Sequence, residues 1–167
     1  AARQFDSRVL LESFHEGLDL RIVVIGLEVV AAAIRRPGEV GGDGQHSVRA
    51  LIEAQSRRRQ AATSGESKIP LDHETERTLQ AAGYDYDSIL PAGEHLFVRR
   101  TANLHTGGTL EDVTAILHPT LVDAAVRAAR ALDIPMVGLD LMVPAADQPE
   151  YVFIEANERA GLANHEP

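Results

Sequence analysis

The sequence predicts an α+β fold in which helices pack on one face of a mostly antiparallel sheet. Short β-branched runs outnumber amphipathic helices, and most of these runs are joined by connections that suit antiparallel pairing. The chain has 167 residues and is 44% hydrophobic, so we expect residues 1–167 to form a single domain with its own core. Aromatic residues make up only 4% and tryptophan is absent, so the core must be built from valine, leucine, isoleucine and alanine.

The first half of the chain contains a predicted hairpin and a predicted helix. Leu20 to Ile25 and Val29 to Ile34 are β-branched runs separated by three residues, which is typical of two paired strands. Residues 37–46 include four glycines, so we expect a loop without helix or strand. Ser47 then has the side chain and the position of an N-cap for a helix that reaches about residue 58.

The second half adds two helices and a strand before the last hairpin. Asp72 can cap a helix, and because only Leu79 and Ala82 offer obvious buried contacts, we expect that helix to be peripheral. Residues 94–100 predict a third core strand. Residues 120–132 carry a broad apolar face, which is typical of a helix that packs on a sheet.

The stretch from Met136 to Asn157 predicts two apolar strands joined by a short polar loop. Side chains alternate between the two faces of a strand. Four apolar residues of the first strand therefore share one face: Val137, Leu139, Leu141 and Val143. The other face carries Gly138, Asp140 and Met142, and by the same alternation Phe153, Glu155 and Asn157 share a face of the second strand. A hairpin centred near Asp147 sets residue 140 across from residue 154 or 155, so Asp140, Glu155 and Asn157 can converge.

These three side chains are candidate magnesium ligands. Two carboxylates and an amide oxygen are hard oxygen donors, which Mg²⁺ accepts while waters and phosphate oxygens fill its other positions. An ordinary hairpin with a solvated polar face is the simpler interpretation of Glu155 and Asn157 alone. The position of Asp140 in the middle of a strongly apolar strand favours the metal, because a buried carboxylate is costly without a cation or a donor.

Composition and missing motifs exclude several other classes. The formal net charge of −9 argues against a general nucleic-acid binder, although residues 57–59 form a basic run that we interpret as a solvated helix end. No run of eighteen apolar residues occurs, so we expect no membrane span. The absence of cysteine suits a cytoplasmic enzyme. The seven histidines lack zinc-type spacing, and neither a P-loop nor a dinucleotide-binding glycine motif is present.

Several segments, read in order, resemble the C-terminal part of an ATP-grasp ligase. They are LLESFHEGLDLRIVVIG, RRPGEVGGDGQHS, VRRTANLHTGG, EDVT, GLDL and FIEANERAGLANHEP. The resemblance spans residues 8–167 and extends to the cyanophycin synthetases and the bacterial glutathione-synthesis ligases. The pattern is most similar to the N-acetylglutaminylglutamine amide synthetases. It implies an enzyme that uses ATP and Mg²⁺, or Mn²⁺ in its place, to activate a small-molecule carboxylate of the glutamine or glutamate type and join it to an amine or to ammonia.

The resemblance also implies roles for residues near the nucleotide. The hinge that holds adenine would consist of Glu12, Ser13, Phe14 and His15. Asp19 would take the ribose hydroxyls.

Further roles concern the reacting phosphate and the metal. Arg21 would act catalytically near the phosphates, and Arg35 would face phosphate or substrate. Arg99 and Asn103 would be catalytic residues of a loop that closes over the reacting phosphate, together with Gly107 and Gly108. The magnesium ligands implied by the resemblance are the trio already selected from the strand pattern, Asp140, Glu155 and Asn157.

One departure from the resemblance affects the expected activity. The ATP-grasp pattern implies lysines and a glycine-rich loop from an N-terminal nucleotide-binding portion, whereas Lys68 is the one lysine in the sequence. We therefore expect that residues 1–167 alone do not turn over substrate. Relatives commonly self-associate, so a homo-oligomer is compatible with the resemblance. Two alternatives stay open, a non-catalytic regulatory domain that binds a nucleotide or a divalent metal, and a metal-dependent hydrolase that acts without ATP.

Overall fold

The computed structural model describes residues 7–10 and 13–158. Its regular elements are, in chain order, β1 (Leu18–Ile25), β2 (Glu28–Arg36), β3 (Glu39–Gly41), α1 (Val48–Ala62), α2 (His73–Ala81), β4 (His95–Phe97), β5 (Thr109–Asp112), α3 (Pro119–Leu132), β6 (Met136–Val143) and β7 (Val152–Asn157). Single 3-10 turns at Leu104–Thr106 and Thr114–Ile116 flank β5.

Five strands form one antiparallel sheet in the order β5-β2-β1-β6-β7. The central strand is β1, which pairs along its length with β2 on one side and β6 on the other. Gly26 and Leu27 connect β1 to β2 with φ values of 57° and 68°, the positive φ pair of a type I′ hairpin turn. Both predicted hairpins, β1 with β2 and β6 with β7, are therefore confirmed.

One face of this sheet is apolar and packs against α3. The buried residues on it are Leu20, Ile22, Val24, Ala32, Ile34, Val137, Leu139, Leu141 and Val143, and α3 covers them with Leu121, Ala125 and Ala129. The alternation predicted for β6 places its four apolar side chains in this core. The opposite face of the sheet is consequently left for polar side chains.

A second apolar cluster supports the segment that enters β5. It joins α1 and α2 to the two-stranded sheet of β3 and β4 through Val40, Val48, Ile52, Ile69, Leu79, Leu90, Leu96 and Val98. Ser47 and Asp72 cap α1 and α2 as predicted, because their side chains accept hydrogen bonds from the backbone N–H groups of Ala50 and Thr75. The fold agrees with the predicted α+β class.

Three expectations about individual elements are wrong. Residues 94–100 do not form a core strand of the main sheet, since only β4 is regular there and it pairs with β3. The loop at 37–46 contains β3, so three of its residues do form a strand. In α2, Ala82 is exposed, and Thr75 and Thr78 are buried beside Leu79, so the helix is less peripheral than expected. In the described part of the chain, every helix is too short or too polar to span a bilayer.

Candidate functional site

Charged side chains of four strands meet on the polar face of the five-stranded sheet, which we call the charged face. Arg21 on β1 pairs with Asp140 on β6, and Asp140 pairs with Glu155 on β7. Two residues away along β1, Asp19 pairs with Arg35 on β2. Directly paired residues project to the same side of a sheet. The strand registers therefore bring these five side chains together.

Asp140 is held by two arginines. Nη1 of Arg21 donates to both carboxylate oxygens of Asp140, at 2.9 and 3.1 Å, and Nη2 of Arg35 lies 3.1 Å from Oδ2. Arg35 also donates to Asp19, from Nε at 3.0 Å and from Nη2 at 2.7 Å. Asp140 is only 4% exposed. Because an unpaired carboxylate would be costly at that depth, these ion pairs allow it to lie in an apolar strand.

Gly138 makes room for the side chain of Arg21. A Cβ atom at position 138 would come within 2.6 Å of Nη2, 2.9 Å of Cζ and 3.0 Å of Nε of Arg21. The guanidinium group therefore lies directly over this glycine. A larger residue at position 138 would push Arg21 away from Asp140.

The pKa values of the paired acids Asp140 and Glu155 shift in opposite directions. Burial raises the pKa of Asp140 and outweighs the charges of Arg35 and Arg21, which lower it. Hydrogen bonds with Asn157 and with Asp140 lower the pKa of Glu155. A cation bound between the two carboxyl groups would favour the ionised form of both.

The donor set fits a magnesium ion that also binds phosphate. Asp140 and Glu155 are directly paired across β6 and β7, and Nδ2 of Asn157 donates to Glu155 at 2.9 Å. A half-turn of the Asn157 amide brings its oxygen to the same position. The described residues contain no cluster of three or more histidine, aspartate or glutamate side chains that could hold a metal by themselves. Two carboxylates with an amide are instead the kind of set that Mg²⁺ completes with waters and phosphate oxygens.

Known proteins resemble this chain in sequence and in structure. It is 34% identical to the cyanophycin synthetase of Nostoc sp. over 172 residues, which cover 99% of this chain and 19% of that protein. It is 32% identical to the glutathione biosynthesis bifunctional protein GshAB of Listeria welshimeri over 169 residues, which cover 98% of this chain and 22% of that protein. A crystal structure of a bifunctional glutathione synthetase from Pasteurella multocida matches 86% of this chain and 20% of its own, with a TM-score of 0.70 and 29% identity.

The chain is a homologue of the ATP-grasp ligases. Its fold is that of the C-terminal part of an ATP-grasp domain, as predicted. ATP binding and magnesium are expected for ATP-grasp ligases. The chain spans about a fifth of the length of the curated relatives that it matches. No protein-family model matches the sequence.

Arg99, predicted as a catalytic residue, is not among the side chains that the strand registers bring to the charged face. It is 5% exposed and donates to Asp72 and Glu74, each at 2.5 Å, and to Oγ1 of Thr75 at 3.0 Å. These acceptors belong to the start of α2, so the observed contacts of Arg99 hold that helix. A catalytic role for Arg99 in ATP-grasp chemistry stays a prediction.

The other loop residues selected from the resemblance lie just before β5. Oδ1 of Asn103 accepts a hydrogen bond from the backbone N–H of His105 at 2.9 Å, and the carbonyl of Asn103 accepts one from Gly108 at 2.8 Å. Gly107 has a φ of 98°, and a Cβ at that position would collide with Ile69. A Cβ at Gly108 would come within 2.9 Å of the carbonyl oxygen of Asn103, so both positions have a steric reason to be glycine. The contact of the two glycines with phosphate stays a prediction.

The predicted adenine hinge is described only in part. Ser13, Phe14 and His15 are exposed and precede β1, and Glu12 lies outside the described residues. Their assignment to adenine therefore stays a prediction.

Three features of the charged face do not follow from the sequence reasoning. A β-bulge between the partners of Asp140 and Leu141 pairs Leu141 with Phe153. Phe153 therefore does not share a face with Glu155, contrary to the prediction. Asp112 pairs with Ala33 and so extends the row of Arg21 and Asp140 onto β5. The space above Gly138 was also missed, although a glycine inside a strand often marks a close approach.

Proposed function

We propose that this chain forms part of an ATP-dependent ligase that joins a carboxylate to an amine through an acylphosphate. The observation that carries the proposal is the convergence of Asp140, Glu155 and Asn157 with Arg21 and Arg35 on one face of the sheet. The proposal is supported by the matches to two kinds of ATP-grasp ligase across nearly the whole chain.

The chemistry requires charge compensation more than it requires a nucleophilic side chain. Bound ATP and Mg²⁺ would supply the γ-phosphoryl group and offset its negative charge. The substrate carboxylate attacks the γ-phosphorus and ADP leaves, which gives the acylphosphate. A neutral amine then attacks the carbonyl carbon, loses a proton, and inorganic phosphate leaves.

The residues of the charged face have separate roles in that sequence. Asp140, Glu155 and Asn157 would hold the metal. Arg21 and Arg35 are kept beside them by their ion pairs with Asp140. There the two guanidinium groups would stabilise the charge that builds up on the phosphoryl oxygens, without a covalent enzyme intermediate.

We also propose the class of substrate. The quoted motifs resemble those of N-acetylglutaminylglutamine amide synthetases, so we propose that the carboxylate belongs to a small molecule of the glutamine or glutamate type, with ammonia as the amine. A substrate of this type is itself an anion, which fits the two arginines of the charged face, Arg21 and Arg35.

The test is ADP release by the intact protein with ATP and Mg²⁺, across a panel of carboxylates offered with ammonia or single amino acids. Turnover should require one carboxylate and one amine, and should fall at least about a hundredfold in Asp140→Asn and in Glu155→Gln. Asp147→Asn is the matched control, because Asp147 is an exposed acid in the loop between the same two strands. Its turnover should equal that of the wild type.

Other results would assign a different function. If the protein binds nucleotide but releases no ADP with any pair of carboxylate and amine, the result would indicate a regulatory binding domain instead of a ligase. Hydrolysis that requires the metal but no ATP would indicate a metal-dependent hydrolase. Full activity of both variants would show that Asp140 and Glu155 do not bind the metal.

A further inference from the structure

Arg59 differs from the other arginines that the structure partly buries. In the described part of the chain, four arginine side chains are buried or half-buried, namely Arg21, Arg35, Arg59 and Arg99. Carboxylates pair with three of them. Within the described ranges, the recorded partners of the Arg59 guanidinium are instead neutral: Nε donates to the Ser67 hydroxyl at 3.0 Å, and Nη2 donates to the Gly108 carbonyl.

The positive charge of Arg59 is thus held in a half-buried place without an opposite charge. Burial lowers the pKa of Arg59, whereas the partners of Arg35 raise the pKa of that residue despite burial. A guanidinium group has five N–H donors, so Arg59 has donors left after its two recorded bonds. Burying such a group is costly unless an anion meets it.

A cavity of about 370 Å³ opens beside Arg59. Its walls include Glu66, His105 and Thr109, together with the apolar side chains of Leu104 and Leu110. This volume lies within the range of small-molecule sites, which are largely apolar with a few convergent polar groups. Glu66 is exposed, and its carboxylate has no ion-pair partner among the residues that the structure describes.

The cavity adjoins the charged face. Leu110, one of its walls, pairs with Arg35 across β5 and β2 and so projects to the same side of the sheet. Gly108, whose carbonyl accepts from Arg59, belongs to the loop that enters β5. A molecule in the cavity would therefore lie about one strand spacing, or roughly 5 Å, from the strand that carries Arg35.

We propose that this cavity binds the carboxylate of an amino-acid-like substrate through Arg59, with Glu66 accepting a hydrogen bond from the amino or amide nitrogen of the same molecule. The planar guanidinium matches a carboxylate in shape as well as in charge. Glu66 would repel a plain anion, so the pair selects a molecule that carries both a carboxylate and an N–H donor. This inference rests on the proposed ligase and names where one of its substrates is recognised.

Calorimetric binding to the intact protein tests the proposal without turnover. The probes are the standard amino acids, their N-acetyl derivatives and N-acetylglutaminylglutamine, and the best of them is then compared with its primary amide. The amide should bind about ten- to a hundredfold more weakly than the carboxylate probe. Arg59→Gln should weaken binding of the carboxylate probe by a similar factor and leave binding of the amide unchanged. Arg58→Gln is the matched control, since Arg58 is an exposed neighbour on the same helix.

A second variant separates recognition from support of the loop, because Arg59 also contacts Gly108. Glu66→Gln removes no side-chain hydrogen bond or ion pair among the described residues. It should weaken binding of the best probe more than binding of its analogue without the N–H group. The proposal is overturned if no carboxylate probe binds, or if Arg59→Gln binds the carboxylate probe as tightly as the wild type does. It is also overturned if Arg59→Gln lowers the affinities for the carboxylate probe and for its amide by the same factor. In each of these cases ADP release that depends on Asp140 would still support the ligase.

Discussion

Gly138→Ala should lower the free energy of unfolding, because it displaces the side chain of Arg21 on the neighbouring strand. The new methyl group would occupy the space of Nη2, Cζ and Nε of Arg21, all within 3.0 Å. The guanidinium can swing away, because it is the end of a flexible side chain. It would then lose its two hydrogen bonds to Asp140, at 2.9 and 3.1 Å.

The size of the effect follows from these contacts. Hydrogen bonds to a charged group contribute about 1.5–3 kcal/mol, and the side chains of Arg21 and Asp140 are only 14% and 6% exposed, so solvent screens the pair weakly. Alanine also reduces the conformational entropy of the unfolded chain relative to glycine, which offsets about 0.4–1 kcal/mol of this loss. We therefore expect the free energy of unfolding to fall by about 1–2 kcal/mol.

A double-mutant cycle isolates this mechanism. Urea unfolding of the 167-residue chain is followed by circular dichroism for the wild type, Gly138→Ala, Arg21→Ala and the double variant. With Arg21 shortened, the methyl group has nothing to displace, so Gly138→Ala should become neutral or stabilising in that background. If the two changes were instead additive within about 0.5 kcal/mol, Arg21 would not lie over Gly138.

Three further predictions concern the supporting structure. Burial raises the pKa of Asp72, but the hydrogen bond from the backbone N–H of Thr75 and the charge of Arg99 together lower it below its usual value. This acid therefore contributes stability that is present above pH 3.8 and is lost as the pH falls through its lower folded pKa. Asp72→Asn should reduce the loss of stability measured by acid titration, and an unchanged titration would contradict a stabilising role of the Asp72 charge. Gly107→Ala, at a φ of 98° and against Ile69, should lower the free energy of unfolding by about 1–3 kcal/mol in urea, and a stabilised variant would contradict the packing of the loop. Leu139→Ala should cost about 2–5 kcal/mol by the same measurement because the side chain is fully buried, and a cost below about 1 kcal/mol would place it outside the core.

Alternation along β6 was enough to predict the most informative part of the charged face. With a period of two, Val137 and Leu139 must face the core if Asp140 does not, and the length of the following loop sets Asp140 opposite Glu155. The bulge at Ile154 could not be predicted in this way, because one extra residue in an edge strand leaves no mark in the alternation. The alternation therefore places Phe153 on the wrong face of β7.

Contacts between distant segments account for the other differences. Residues 94–100 alternate like a core strand, but the choice between two sheets depends on β3, more than fifty residues earlier. Arg99 finds its partners at Asp72 and Glu74, and Arg59 finds the carbonyl of Gly108. No local pattern contains such pairings, which arise only when the helices pack on the small sheet.

The most direct test of the central claim follows an oxygen atom. The intact protein is given its productive carboxylate labelled with ¹⁸O, together with ATP, Mg²⁺ and the amine, and the released phosphate is analysed by mass spectrometry. Activation as an acylphosphate transfers one labelled oxygen from the carboxylate to each phosphate, and Glu155→Gln should release little phosphate of either kind. Phosphate without the label would contradict the account, because ATP would then have been cleaved by water and the carboxylate never activated.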